Sequence, residues 1–315
     1  MVVGGKLVFY RHLPDDPQFH ILSDKVNQWL SMETLPILVY LVFTVVFMVL
    51  SRSQQLWASL LLPALKLTVR GALWSVAKND DDLIGVITCC VGHLYHVLFT
   101  AMILQNAKSL ETLTVVVLFS TGQMLFNCRY IYSDANTINK IRAKAEMNES
   151  QKDADNLQLA LTFAKEIAWA NAEREEGRLA RQEAVIHEVA SAFHQTEMVL
   201  LRSYITICMT LFYVIYLQVV FRLSNRHYFA TLVYLTTVKA VDHTVERLLL
   251  LCAMEIVFLS VYLVLISKRL GISGIYQLAF VLWSQRVVIQ AKLYVTIVIL
   301  GFPLTHNGND SILRF

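Results

Sequence analysis

Apolar residues run along this chain in solid blocks rather than in alternation. Six blocks, 33–51, 83–104, 110–131, 199–221, 248–267 and 283–303, are each about as long as the ~20 residues a helix needs to cross a bilayer core. In lipid the backbone must satisfy its own hydrogen bonds, which leaves helices or closed barrels. Barrel strands alternate in polarity with period two and these blocks do not, so they are predicted to be helices.

Two further stretches are long enough to cross but carry charge. Residues 57–77 hold Lys66 and Arg70 four apart on one face, between Trp57 and Trp74 as interface anchors. Residues 227–246 hold Lys239, Asp242, His243 and Glu246 in their latter half. A cation at mid-bilayer costs ~2.5–3.5 kcal/mol on insertion scales. Each stretch therefore either spans with its polar face against other helices or lies in the interface.

Arg129, Lys140, Arg142 and Lys144 follow the 110–131 block, which places residues 133–198 on the cytoplasmic side. With six spans both termini are outside; with eight both are inside, and the charge bias improves. The expectation is an all-α polytopic membrane protein with six clear spans plus two polar-faced helices, eight favoured over six. The chain then divides into an N-terminal membrane half, 1–132, a cytosolic helical stalk, 133–198, and a C-terminal membrane half, 199–315.

Composition agrees. The 315 residues are 56% hydrophobic and 16% charged, against about 45–50% and 25% in soluble domains. The net charge of +3 hides an asymmetry: residues 133–198 hold 8 Lys+Arg against 12 Asp+Glu. The rest is sparsely basic, with no stripe of the kind that binds nucleic acid. All five cysteines lie in or beside apolar blocks, so no disulfide framework is indicated.

In the stalk, Ser150, Asp153 and Asp155 suit a turn and an N-cap before a helix starting near Asn156. Leu157, Leu161, Ala164 and Ala168, then Leu179, Ile186, Val189 and Phe193, recur at helical spacing. Gly177 is placed to break the run, and its second half is expected to continue straight into the 199–221 span. Residues 150–198 offer a surface for self-association or a cytosolic partner.

Chemistry-bearing residues are few. Cys89, His93 and His96 share one helix face, a donor set that suits copper or zinc, while imidazoles there also relay protons or simply bond neighbouring helices. Glu255 is the one acid deep in a clear span, with Arg286, Lys292 and Lys239 as candidate partners. Glu255, Arg286, Lys292, Lys239, His93 and His96 make a candidate polar path through the bilayer. Arg202 stands alone in its span, which excludes a voltage-sensor ladder. No phosphate loop, dinucleotide fingerprint, kinase set or nucleophile elbow occurs, and no catalytic residue is assigned.

The C-terminal run LGISGIYQLAFVLWSQRVVIQAKL, followed by GFPLTHNGNDSILRF, resembles the end of a family of multi-pass proteins from oomycetes such as Phytophthora. The likeness covers about the last 50 residues. It implies an amphipathic stretch over 275–292 and assigns no activity. Three functions are open: a channel or transporter for an ion or small solute, a non-catalytic scaffold or receptor-like protein working through the stalk, and, with least support, a membrane-embedded enzyme.

Overall fold

A computed structural model describes residues 34, 36–47, 49–77, 81–107, 110–144, 156–169, 176–224, 226, 232, 235, 237–287, 289–290 and 294–296. All regular structure among them is helical. In chain order the helices are α1 (Pro36–Phe47), α2 (Arg52–Ala77), α3 (Asp81–Asn106), α4 (Leu110–Lys144), α5 (Asn156–Trp169), α6 (Glu176–Arg222), α7 (Val238–Leu270) and α8 (Gly274–Ser284). Among the described residues, three segments are long and apolar enough to cross a membrane: Ser53–Leu73, Gln182–Arg222 and Val238–Leu270.

The long helix α6 is the axis of the molecule and packs against α3, α4, α5, α7 and α8. Its 47 residues make ~70 Å at 1.5 Å per residue, more than twice a ~30 Å hydrocarbon core. Residues 176–198 and the apolar block 199–221 are thus one rod.

Two cores lie along that rod. The larger joins Tyr40 of α1, Leu73 of α2, Leu98 and Phe99 of α3, Leu201 and Tyr213 of α6, and Leu248 of α7. The second joins Ile131 and Ile138 of α4, Leu159 and Phe163 of α5, Val185 and Val189 of α6, and Ile266 and Leu270 of α7. Outside the first core, Leu41, Val45, Leu61, Leu125, Ile215, Val257 and Val264 face outward. In water so broad an apolar surface is unfavourable; against lipid it is the expected face.

Short connections set the helices up and down. Phe47, Ala58, Leu62 and Ile103 meet in a small cluster, so Ser51 lies at the same end as the close of α3. Arg247 of α7 donates to the Ala107 carbonyl at 3.4 Å, which brings the start of α7 to that end too. At the opposite end the buried amide of Asn156 donates to the Leu270 carbonyl at 3.0 Å, satisfying an orphan carbonyl where α7 stops. Gly271 follows with φ 71°, the left-handed conformation that closes helices.

The second polar-faced helix differs from its expected form. Among the described residues, no helix ends near residue 246. Thr237 takes the N-cap, its hydroxyl accepting from the Ala240 amide at 3.3 Å, and α7 then runs unbroken to Leu270. Lys239, Asp242, His243 and Glu246 sit on its opening turns, where polar side chains precede the apolar span. With no turn residue between Val241 and Leu250, nothing interrupts the hydrogen-bond ladder.

In the stalk the apolar register also shifts. Leu159 and Phe163, four apart, are buried on α5, while Leu161 is 53% exposed; the side chains of Leu157 and Ala168 lie outside the described residues. Here burial and the facing Glu188 push the Asp134 carboxyl above the ordinary range. The helix of the C-terminal amphipathic stretch buries Gly274, Gln277 and Val281, and turns Ile275, Tyr276, Phe280 and Trp283 outward.

Candidate functional site: a polar cavity between five helices

Charged and polar side chains from α2, α3, α4, α6 and α7 converge on a cavity of about 1170 Å³. This exceeds the ~300–1,000 Å³ of ordinary ligand pockets. The amphipathic face of α2 supplies Lys66 and Arg70; α3 supplies His93 and His96. Gln123 and Asn127 come from α4, Arg202 and Thr206 from α6, and Glu255 and Tyr262 from α7. On each helix the pairs stand three, four or seven apart, the spacing that keeps them on one face.

A chain of hydrogen bonds fixes the wall. Lys66 Nζ donates to Gln123 Oε1 at 2.9 Å, tying α2 to α4. Asn127 Nδ2 donates to the Tyr262 hydroxyl at 3.2 Å, tying α4 to α7. The His93 Nε2 to Thr206 Oγ1 distance is 2.8 Å, and Thr206 passes its own proton to the Arg202 carbonyl at 3.0 Å. Thr206 therefore accepts from His93, which fixes the proton of a neutral His93 ring on Nε2. The other ring nitrogen, Nδ1, is buried and has no hydrogen-bond partner among the described residues.

His96 bonds through Nδ1 to the Tyr40 hydroxyl at 3.1 Å, and Tyr40 stacks on Phe99 with ring centres 5.6 Å apart. The two histidines thus bond neighbouring helices, α6 and α1 respectively. Their ring centres are 6.2 Å apart. No group of three or more His, Cys, Asp or Glu side chains is placed to hold a metal among the described residues; the Cys89 side chain lies outside them.

Of the six residues of the sequence-derived path, the structure brings Glu255, His93 and His96 to one cavity. Arg286 is exposed, its guanidinium 4.3 Å from the centre of the Trp283 ring, and Lys239 is exposed at the start of α7. Neither lines the cavity. Lys292 lies outside the described residues.

The cations that do share the cavity with Glu255 are Lys66, Arg70 and Arg202. The sequence signals the first two through their i, i+4 spacing. Arg202 gives no signal, because a single cation near a span boundary is ordinary. Only the fold shows that it faces the same space.

Glu255 is the single carboxylate on the wall among the described residues, against three cations, a formal balance of +2 with the histidines neutral. A wall of this composition has the charge to discriminate ions by sign and the imidazoles and hydroxyls to pass protons. Set beside known proteins, the chain matches no family model, no curated protein and no solved structure.

Proposed function

We propose that this chain is a multi-pass membrane protein that moves an ion or small solute through the cavity between α2, α3, α4, α6 and α7. The observation that carries the reading is the convergence of Lys66, His93, Arg202 and Glu255 inside helices whose outer faces are apolar. Charged groups in a bilayer are costly and belong where they face a bundle interior or a water-filled space.

The proposed topology has seven crossings: the six apolar blocks plus α2. Ser51, Ala107 and Ser224 then lie outside, and the stalk lies inside with the α7–α8 connection. Lys268 and Arg269 join Lys140, Arg142 and Lys144 on the cytoplasmic side, a better charge bias than six spans give. Cysteine substitutions at three exposed serines test it with a membrane-impermeant maleimide. Ser51→Cys and Ser224→Cys are expected to label in intact cells, and Ser273→Cys only after permeabilisation. Labelling of Ser51→Cys and Ser273→Cys from the same side would overturn the arrangement.

Flux in proteoliposomes tests the function. Wild type is compared with Glu255→Gln and His93→Ala over a panel of cations, anions and protons. Both substitutions are expected to change flux at least about tenfold, the size of effect a removed charge or hydrogen bond has on an energy barrier. Unchanged flux in folded variants would take the path away from this cavity.

The scaffold reading has less support. The stalk's apolar side chains Leu159, Phe163, Val185 and Val189 are covered by the chain's own helices. Partner binding or self-association through 150–198 would use the side chains these helices leave outward, Leu161 among them. Kinship with the oomycete family is likewise a proposal, resting on the C-terminal residues alone.

A further inference from the structure

We infer that the cavity binds an anionic amphiphile, with a carboxylate or phosphate head among Lys66 and Arg202 and an apolar tail leaving between α2 and α4. The inference deepens the transport reading and rests on the same cavity.

The head is argued from charge. Among the described residues, Lys66, Arg70 and Arg202 line the cavity with one carboxylate, Glu255, a lining of net positive formal charge. Lys66 and Arg202 are half-buried and Arg70 is exposed toward the edge, an order that draws an anion inward. A half-buried setting weakens screening by solvent, so sign selectivity is stronger there than on an open surface.

The tail is argued from the mouth. Leu67, Leu118 and Phe126 line the cavity and are also 66%, 65% and 64% exposed. They belong to α2 and α4, on the outward surface where Leu61 and Leu125 are exposed as well. The cavity therefore opens sideways, through an apolar rim, at the surface read above as lipid-facing. A fully hydrated small anion would gain nothing from that rim. An amphiphile already held in the membrane reaches the cations by sliding its head between the two helices.

The purified protein in a neutral maltoside detergent gives the test, with dodecanoate and dodecyl phosphate as probes and dodecyltrimethylammonium and acetate as controls, by titration calorimetry. Both dodecyl anions are expected to bind at least about tenfold more tightly than the dodecyl cation, and acetate not measurably, since one unit charge at close range is worth a tenfold change or more. Arg202→Gln and Lys66→Gln are each expected to weaken dodecanoate at least about tenfold, and Glu255→Gln to strengthen it.

Equal or tighter binding of the cationic amphiphile would overturn the inference, and this comparison needs only the wild type, so a variant that fails to fold does not blunt it. Unchanged dodecanoate affinity in folded Lys66→Gln and Arg202→Gln would overturn it too. Native mass spectrometry separates the sources. Phosphatidic acid retained through purification and displaced by dodecanoate identifies a bilayer lipid; dodecanoate binding with no retained lipid identifies a free amphiphilic acid.

Failure of this inference is distinct from failure of the transport reading. Dodecyl-anion binding without flux of any probe would leave the binding site and remove transport. Cation flux without dodecyl-anion binding would do the reverse.

Discussion

Gly274→Leu is expected to prevent α8 from seating on α7 and to cost ~2–4 kcal/mol, the combined scale of overpacking and lost buried hydrogen bonds. A Cβ at this position would stand 2.9 Å from Leu263 Cδ2 and 3.3 Å from Leu263 Cα. The first contact can be relieved by a side-chain rotation; the second is to the main chain of α7 and can be relieved only by moving a helix. Retreat of α8 would also pull Gln277 from the Phe193 carbonyl and the Thr196 hydroxyl, which it reaches at 3.1 and 2.8 Å.

Thermal unfolding in detergent, followed by the loss of monodisperse protein, measures the effect. Gly274→Ala should lie between wild type and leucine. Gly71→Ala is the control, because a Cβ at Gly71 meets nothing within 4 Å. Alanine in a helix interior is favoured over glycine by ~0.5–1 kcal/mol, so this variant should be at least as stable as wild type. A Gly274→Leu protein as stable as wild type would show that α8 does not pack as described.

Phe163→Ala is expected to release α5 while leaving the membrane helices in place, at a cost of ~3–5 kcal/mol for truncating a fully buried phenylalanine. Phe163 is 1% exposed and lies in the second core with Leu159, Val185 and Leu270. The helix has only 14 residues, too few to hold itself in water, so its stability comes from this face and from the Asn156 cap on Leu270. Amide hydrogen exchange over 156–169 should approach that of an unfolded segment, with exchange in α3 and α6 nearly unchanged. Leu161→Ala, on the exposed side of the same helix, should alter exchange little. Equal effects from the two substitutions would contradict the register.

The two expectations separate what a hydropathy pattern carries from what it does not. Apolar blocks and their lengths follow from composition over ~20 residues, because lipid solvates no free backbone polar groups. The helical class was legible for that reason, while the start of α5 at Asn156 and the continuity of α6 through Glu176–Arg222 were legible from a capping cluster and helical spacing. The stalk's register was not. Leu159, Leu161 and Phe163 are equally apolar as letters, and packing against α6 decides which of them is covered.

For the cavity the division is similar. Glu255, His93 and His96 stood out because polar groups within apolar blocks are costly and must face inward. Their partners did not stand out, since Lys66 bonds Gln123 across 57 positions of chain and His93 bonds Thr206 across 113. Arg286 and Lys239 looked equivalent to Arg202 by residue type and nearness to a span. Packing turned the first two outward and the third inward. The sequence by itself determined that this chain is helical, apolar on its outer faces and sparing with buried charge. Only the tertiary structure decided which charges share one space, because that depends on the rotation of each helix about its own axis, and the rotation is set by side chains on other helices.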